Sequence, residues 1–407
     1  MADRHDVDRR EFLITSAGVM AAGLGQACSA ATPEEIERAA TKVGKLPRRP
    51  LGRDGREVSV LVGAGTWSRD AVEVGIRCGV NYWHKAEEWG RNVPKAIHKD
   101  REAHNCQVCV DRARGSHETG KIDEEAHYQF VKRAVAETGL RYFDDIQFHF
   151  GFHNVAEVKN ERGFVRAYER LKKEGLVRHL CLSQHHYGSN SRVENGQNGA
   201  EILSAVIEDG IFEHAQFMFS YGETEPMKQL VSLARRKGFG TIAMKTTRGA
   251  GRMKGDAEFM KQFPADTSPH NALARWLTTA TELDAAVIQI KGVSEFVDTF
   301  SGAGKPLRAA DARAIETMTA YADREVCRLC NECASHCQHG IPIADILRYE
   351  RYAQDYGEGL RARALYAMLD RQGNTCIACG DCLPHCPQQL EIPRKLAGAH
   401  EILKARG

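Results

Sequence analysis

Eight of the cysteines fall in two runs of the same spacing. The run CRLCNECASHC is Cys327-x2-Cys330-x2-Cys333-x3-Cys337, and CIACGDCLPHCP is Cys376-x2-Cys379-x2-Cys382-x3-Cys386 followed by Pro387. Three thiolates three residues apart can each take one corner of a cubane cluster. The fourth, held further off, reaches the other cluster of a pair. That rule puts Cys327, Cys330, Cys333 and Cys386 on one 4Fe–4S cluster, and Cys376, Cys379, Cys382 and Cys337 on the second. Zinc and disulfides are the alternatives, but a zinc site takes four ligands and seldom shows this triple spacing.

These runs form an internal repeat. CQHGIPIADIL and CPQQLEIPRKL each follow the fourth cysteine with a short Ile/Pro stretch and then a helix start. Between them, DILRYERYAQDYGEGLRARALYAML has helical periodicity and good helix formers. The pattern resembles an α-helical two-cluster ferredoxin, which places a ferredoxin domain over residues 311–407.

Ahead of it, residues 46–310 alternate short apolar strands with amphipathic helices such as FVRAYERLKKEG and MKQLVSLARRKG. The strand candidates are SVLVGAG, VNYWH, QVCVDR, DDIQFHF, HLCLSQ, AQFMFS, GTIAMK and AAVIQI. Eight βα units over roughly 250 residues predict an α/β fold, a closed (β/α)8 TIM barrel. An open doubly wound sheet is the alternative, but no GxGxxG loop follows the first strand.

The chain's 42% apolar and 27% charged residues are ordinary for a soluble protein, and a formal charge of +2 gives no reason to expect nucleic acid as a partner. Residues 1–31 read as an export signal. DRREFLITSAGVMAAGLGQACSAA pairs Arg9 and Arg10 ahead of Phe12, Leu13 and a mild Ala/Gly-rich run. That resembles a twin-arginine signal and predicts a periplasmic or exported protein that meets the twin-arginine translocon. The run is too short to span a bilayer as a mature helix. Lipoprotein anchoring at Cys28 is the lesser alternative, because Gly25 makes a poor lipobox. Export after folding suits an iron–sulfur protein, since free thiols in an oxidising compartment form disulfides.

The barrel segment resembles the aldo/keto reductases. RRPLGRDGREVSVLVGAGTW resembles their opening hairpin and first strand, and AYERLKKEGLVRHLCLSQ their helix-4-to-strand-5 signature. KGFGTIAMKTTRGAG resembles the strand-7 region of the subgroup fused to a ferredoxin. The resemblance implies an Asp, Tyr, Lys and His tetrad in which Tyr donates a proton as NADPH delivers hydride. In NYWHKAEEWG the Asp position is His84 and the Tyr position is Trp89, whose indole has no accessible acid pKa. The Lys position is Arg112, and His149 is retained. Ser183 and Gln216 match nicotinamide ligands, but Gln184 and Ser220 replace the neighbouring Asn residues. Phe300 and Ser301 replace the pair that grips adenine, and Lys291 is left as a candidate phosphate contact. NADP is therefore implied by the resemblance and opposed by these replacements.

His84, Arg112, His149, His153, His185, His186 and Lys245 fall at or just after strand ends, where barrel enzymes place their sites. They predict a cationic pocket for an anionic or carbonyl substrate, with His84 or His149 as acid/base, or alternatively a His-lined metal site. Lys245 is also a candidate cofactor contact. Cys78, Cys106, Cys109 and Cys181 read as packed thiols. Cys106 and Cys109 lie along one strand and point to opposite faces. Three functions stay open. One is an iron–sulfur redox enzyme exchanging electrons with a redox protein or small carrier. The second is a non-catalytic electron-transfer or partner-binding protein on a decayed barrel. The third is an NAD(P)H-dependent reductase.

Overall fold

The computed structural model describes residues 31–111, 123–149, 151–184, 199–223, 225–263 and 268–404. Residues 1–30, where the sequence predicts an export signal and which include Cys28, lie outside the described residues, as do Arg112, His185 and His186.

All eight apolar runs become strands: β3 Leu61–Ala64, β4 Tyr82–His84, β5 Asn105–Asp111, β6 Phe143–His149, β7 Val177–Gln184, β8 His214–Met218, β9 Gly240–Met244 and β10 Ala285–Val287. They pair in parallel in the closed order β10-β3-β4-β5-β6-β7-β8-β9. Register pairs such as Ala64↔His84 and Asp111↔His149 bring the strand ends to one rim. The fold is the closed barrel expected from the sequence.

Strand side chains alternate between two environments. Outward positions such as Trp83, Val108, Ile146, Phe148, Leu180 and Phe217 join the main apolar core with the helices. That core also buries Ile36, Ala39 and Val43 of the preceding helix Pro33–Val43, which Thr32 and Glu35 cap reciprocally.

An antiparallel hairpin, β1 Arg48–Leu51 and β2 Arg56–Ser59, plugs the N-terminal end of the barrel. Its Leu51 and Val58 pack on Val62, Tyr82 and Ile242. Gly52 is required there: its φ is +56°, and a Cβ would lie 2.6 Å from the Gly240 nitrogen. Arg56 reaches from the hairpin to Asp145 with two contacts of 2.9 and 2.8 Å.

The helix Ala309–Glu325 packs Ala314, Met318 and Ala322 against Leu273, Phe259 and Phe263 beside the barrel. It leads into the two cysteine loops and the helices Ile343–Gln354, Gly359–Ala367 and Ile392–Leu403. Their core is Ile341, Ile346, Leu347, Tyr366, Leu390, Ile392 and Leu396. No helix among the described residues is long and apolar enough to cross a membrane.

Candidate functional site: a barrel mouth under an iron–sulfur domain

A barrel interior is usually filled by branched apolar side chains. This one is polar. From the Arg56–Asp145 pair, Asp145 lies 3.6 Å from His214 Nε2. His214 Nε2 lies 3.2 Å from the Tyr82 hydroxyl, which accepts from Gln107 Nε2 at 2.8 Å. Gln107 Oε1 can only accept, so His84 Nδ1 donates to it at 2.6 Å. That bond fixes the His84 tautomer and leaves Nε2 as an acceptor. The Cys109 thiol donates to Gln147 Oε1 at 3.2 Å and sits 3.5 Å from His84 Nδ1.

Beyond the Arg56–Asp145 pair, burial keeps this line neutral. It lowers His84 to about 3, with the Lys85 charge adding to the effect. It lowers His214 to about 4 and raises the Cys109 thiol well above its usual range. His149, at the end of β6, is held well below the usual histidine range, first by burial and then by Lys85, His84, Lys245 and Arg361. His84, His149 and Lys245 thus come within electrostatic reach of one another at the mouth. His153 does not join them; it leans to Glu157 at 3.4 Å.

One residue of the mouth was not legible as such in the sequence. Glu87, in the turn Ala86–Asn92 after β4, is raised to about 8, first by burial, with Lys85 opposing. Its Oε2 is buried without a hydrogen-bond partner. The backbone before it is held closely: Gly65 abuts the Lys85 carbonyl, where a Cβ would meet the oxygen at 2.1 Å. Lys85 itself is left-handed, with φ 53°. Glu87 therefore carries a proton at neutral pH.

The nicotinamide candidates are occupied by the protein's own atoms. Ser183 Oγ and Gln216 Nε2 both turn to the Met244 sulfur, at 3.9 and 3.7 Å. Lys291 Nζ donates to the Tyr356 carbonyl at 2.6 Å. Phe300 stacks on Phe296 in the outer core, with centroids 4.2 Å apart, and Ser301 accepts from Asn271. Trp89 packs on Trp83 in that core. Gln216 Oε1 is buried without a partner, but these residues together do not fit a dinucleotide, and no step is derived through one.

The C-terminal domain covers the strand ends. Met218 and Met244 pack with Leu329 and Ala344, and with Cys327 and Val287 against them. Arg351 Nη2 donates to the Lys245 carbonyl at 3.5 Å. Arg252 contacts Asp355 at 2.8 Å and Glu350 at 3.4 Å, and Arg248 contacts Asp323 at 2.8 Å. Lys245, left-handed with φ 55°, places Nζ 5.1 Å from the Tyr352 ring centre and 5.6 Å from that of Tyr356.

The cysteine loops are built as a repeat. Leu329 and Ala378 have φ of 60° and 57°, Asn331 and Gly380 of 65° and 89°, Gly340 and Gln389 of 57° and 53°. These are equivalent positions in the two runs. Such turns aim N–H groups inward: Leu329 N donates to Cys327 Sγ at 3.3 Å and Leu390 N to Cys386 Sγ at 3.4 Å. Cys333 feels the charges of Cys327, Cys330 and Cys386, and last Cys382. Cys382 feels Cys337, Cys376 and Cys379. Cys337, Cys376, Cys379 and Cys382 line one cavity. No cysteine among the described residues forms a disulfide. The donors fit two clusters, and Cys386 lies with the first run as Cys337 lies with the second.

Residues 326–391 match the family model of the 4Fe-4S dicluster domain. The chain carries a two-cluster iron–sulfur domain. Among solved structures, a putative aldo-keto reductase from Pseudomonas aeruginosa is 14% identical, covering 67% of this chain and 96% of that one at a TM-score of 0.45. An aldo-keto reductase from Bacillus halodurans is 15% identical, covering 67% and 96% at 0.47. One from Bombyx mori, in complex with NADP, is 14% identical, covering 68% and 93% at 0.47. The barrel of this chain stands on its own strand pairing. A search of curated proteins returned no match.

Proposed function

We propose that this chain is an exported iron–sulfur oxidoreductase whose substrate binds at the barrel mouth. The observation that supports it best is the packing of Cys327 among Met218, Met244 and Leu329 at the strand ends. A cluster held by Cys327, Cys330, Cys333 and Cys386 would lie directly against the mouth. The cluster held by Cys376, Cys379, Cys382 and Cys337 would lie on the outer side, where Cys379 is exposed. Bound clusters supply one-electron transfer between an external redox protein or small carrier and the mouth. The chain's own residues supply the rest. Lys245 and Lys85 favour developing negative charge on a substrate oxygen, His84 offers a neutral acceptor nitrogen, and Glu87 holds a proton. The Asp, Tyr and Lys positions of the reductase tetrad read as His84, Trp89 and Arg112, so hydride chemistry with NADPH is not the reaction proposed. Arg9 and Arg10 support export by the twin-arginine route.

The test is electron transfer from the reduced, cluster-loaded protein to a panel of quinones, carbonyls and oxyanions, with NADPH titrated alongside. Reoxidation by a member of the panel, with turnover, is expected. A second reading is favoured by the cover that Tyr352 and Tyr356 place over Lys245: an electron-transfer protein without catalysis. Reoxidation by redox proteins and by no small molecule would establish that reading instead.

A further inference from the structure

We propose that Tyr352, contributed by the iron–sulfur domain, is the proton donor to the substrate oxygen at the barrel mouth, with Lys245 stabilising its phenolate. This rests on the oxidoreductase reading above and deepens it, naming a C=O acceptor, carbonyl or quinone, as the substrate class.

The geometry comes from both domains. Tyr352 stands on the helix Ile343–Gln354, which Arg252 ties to the barrel through Glu350 and Asp355. Its half-buried ring lies over Lys245 Nζ at 5.1 Å and under the Arg361 guanidinium at 5.2 Å. Tyr349 and Tyr356 flank it, with ring centres 6.2 and 6.0 Å away. Arg361 and Lys245 are also two of the four groups that hold His149 neutral, so Tyr352 and His149 share one electrostatic field.

The barrel's own residues leave this role open. Its interior line from Tyr82 to His84 is a set of neutral hydrogen bonds. Trp89 is in the outer core, and an indole could not act as an acid in any case. Tyr352 is different in kind. Burial raises its pKa, but Lys245, Arg348 and Arg361 together outweigh burial and the opposing Glu358, and the phenol is held below its ordinary range. A tyrosine so placed gives up its proton more readily, and general acids work best as their pKa approaches the operating pH.

The step balances as follows. The Oη–H bond of Tyr352 breaks and an O–H bond forms on the substrate oxygen. The phenolate stays beside Lys245 and is reprotonated from water. The electron pair originates from the one-electron donor of the proposed reaction, a redox protein or small carrier oxidised twice. The second proton of this two-electron, two-proton reduction comes from water.

The experiment uses anaerobic, full-length protein with both clusters, as wild type, Tyr352→Phe and Lys245→Met. Unchanged cluster absorption and far-ultraviolet dichroism establish that the variants are folded. Tyrosinate formation is followed by near-ultraviolet pH-difference spectra. One tyrosine is expected to ionise ahead of the ordinary value of about 10. That step should vanish in Tyr352→Phe and move to higher pH in Lys245→Met. Viologen-driven reduction of a benzoquinone and of an aromatic aldehyde is measured in parallel. Tyr352→Phe should lower kcat by roughly 100- to 10,000-fold with little change in KM. An early tyrosine step that persists in Tyr352→Phe, or an undiminished kcat in that variant, overturns the inference while leaving the oxidoreductase reading intact. No turnover by the unaltered protein removes the reaction itself, and this role with it.

Discussion

Glu87→Gln should change how stability depends on pH. The Glu87 carboxyl goes from an ordinary 4.5 to about 8 on folding, chiefly by burial. Between those values the unfolded chain has released the proton and the folded protein keeps it. Stability therefore falls as pH rises from 4.5 to about 8, and levels off above. At 1.36 kcal/mol per pH unit the full cost is about 5 kcal/mol. The side chain keeps some contact with solvent, and screening reduces this to about 2–3 kcal/mol. Glutamine keeps the shape and removes the titration, so the variant should gain that much relative to wild type between pH 5 and pH 9. Acid-side losses are shared by both proteins: His84, His104 and His214, at about 3, 4 and 4 when folded, take up protons on unfolding once pH falls below 6.5. They cancel in the difference. Anaerobic urea unfolding at intervals of one pH unit measures the curves, and the infrared C=O stretch of a protonated carboxyl at pH 7 gives an independent reading. Parallel curves, or a carboxyl band that survives in Glu87→Gln, would refute the reasoning by showing that Glu87 is ionised at neutral pH.

Arg56→Met should cost about 3–5 kcal/mol, because it leaves Asp145, with a side chain 0% exposed, as an unpaired buried carboxylate; a urea-unfolding loss below about 1 kcal/mol would show the pair to be dispensable. Cys386→Ser and Cys327→Ser should abolish the same cluster, so that iron falls from about eight to about four per chain and the two variants share one residual paramagnetic spectrum. A spectrum of Cys386→Ser that instead matches Cys376→Ser would reverse the assignment of the fourth ligands. Residues Met1 to Ala31 fused to a reporter should reach the periplasm only with the twin-arginine translocon present, and changing Arg9 and Arg10 together to Lys should block it; export by the general secretory route contradicts that. NADPH added to the unaltered protein with generic aldehydes should not be oxidised above background, and robust oxidation would show that Met244 yields Ser183 and Gln216 to the dinucleotide.

The strands were legible because each is a short apolar run bounded by turn residues, and the two-cluster domain because its cysteine spacing repeats. Parts of the site were legible only in pieces. The polar interior had a signal: Tyr82 and His84, Gln107 and Cys109, Asp145 and Gln147, and His214 and Gln216 each stand two apart, the inward period of a barrel strand. Glu87 had none. In AEEWG it looks like half of a solvated acidic pair, and nothing local distinguishes it from Glu88, which is exposed and lies 4.0 Å from Lys85. Tyr352 and Lys245 are farther still from a local pattern. Their meeting depends on how one domain seats on another, which neither periodicity nor spacing encodes.

The polarity of the interior bears on how the mouth works. A barrel filled with ionised groups would place compensating charge beneath the substrate, and the desolvation cost would be large. Here the ion pair is confined to the far end, where Arg56 holds Asp145 against the hairpin. Everything between it and the mouth transmits orientation without charge: Tyr82, Gln107 and His84 are fixed by hydrogen bonds whose donors and acceptors are determined by the Gln107 amide. The rim then carries positive charge from Lys85 and Lys245, joined by Arg361 of the iron–sulfur domain, and His149 stays neutral first because it is buried and then because these cations oppose a further one. Such a field disfavours a cationic ligand and favours an oxygen that gains electron density during reaction. The domain that covers the mouth therefore contributes to its electrostatics as well as its closure, and detaching it by breaking the Arg252 contacts to Glu350 and Asp355 would remove Arg361 and Tyr352 from the mouth together.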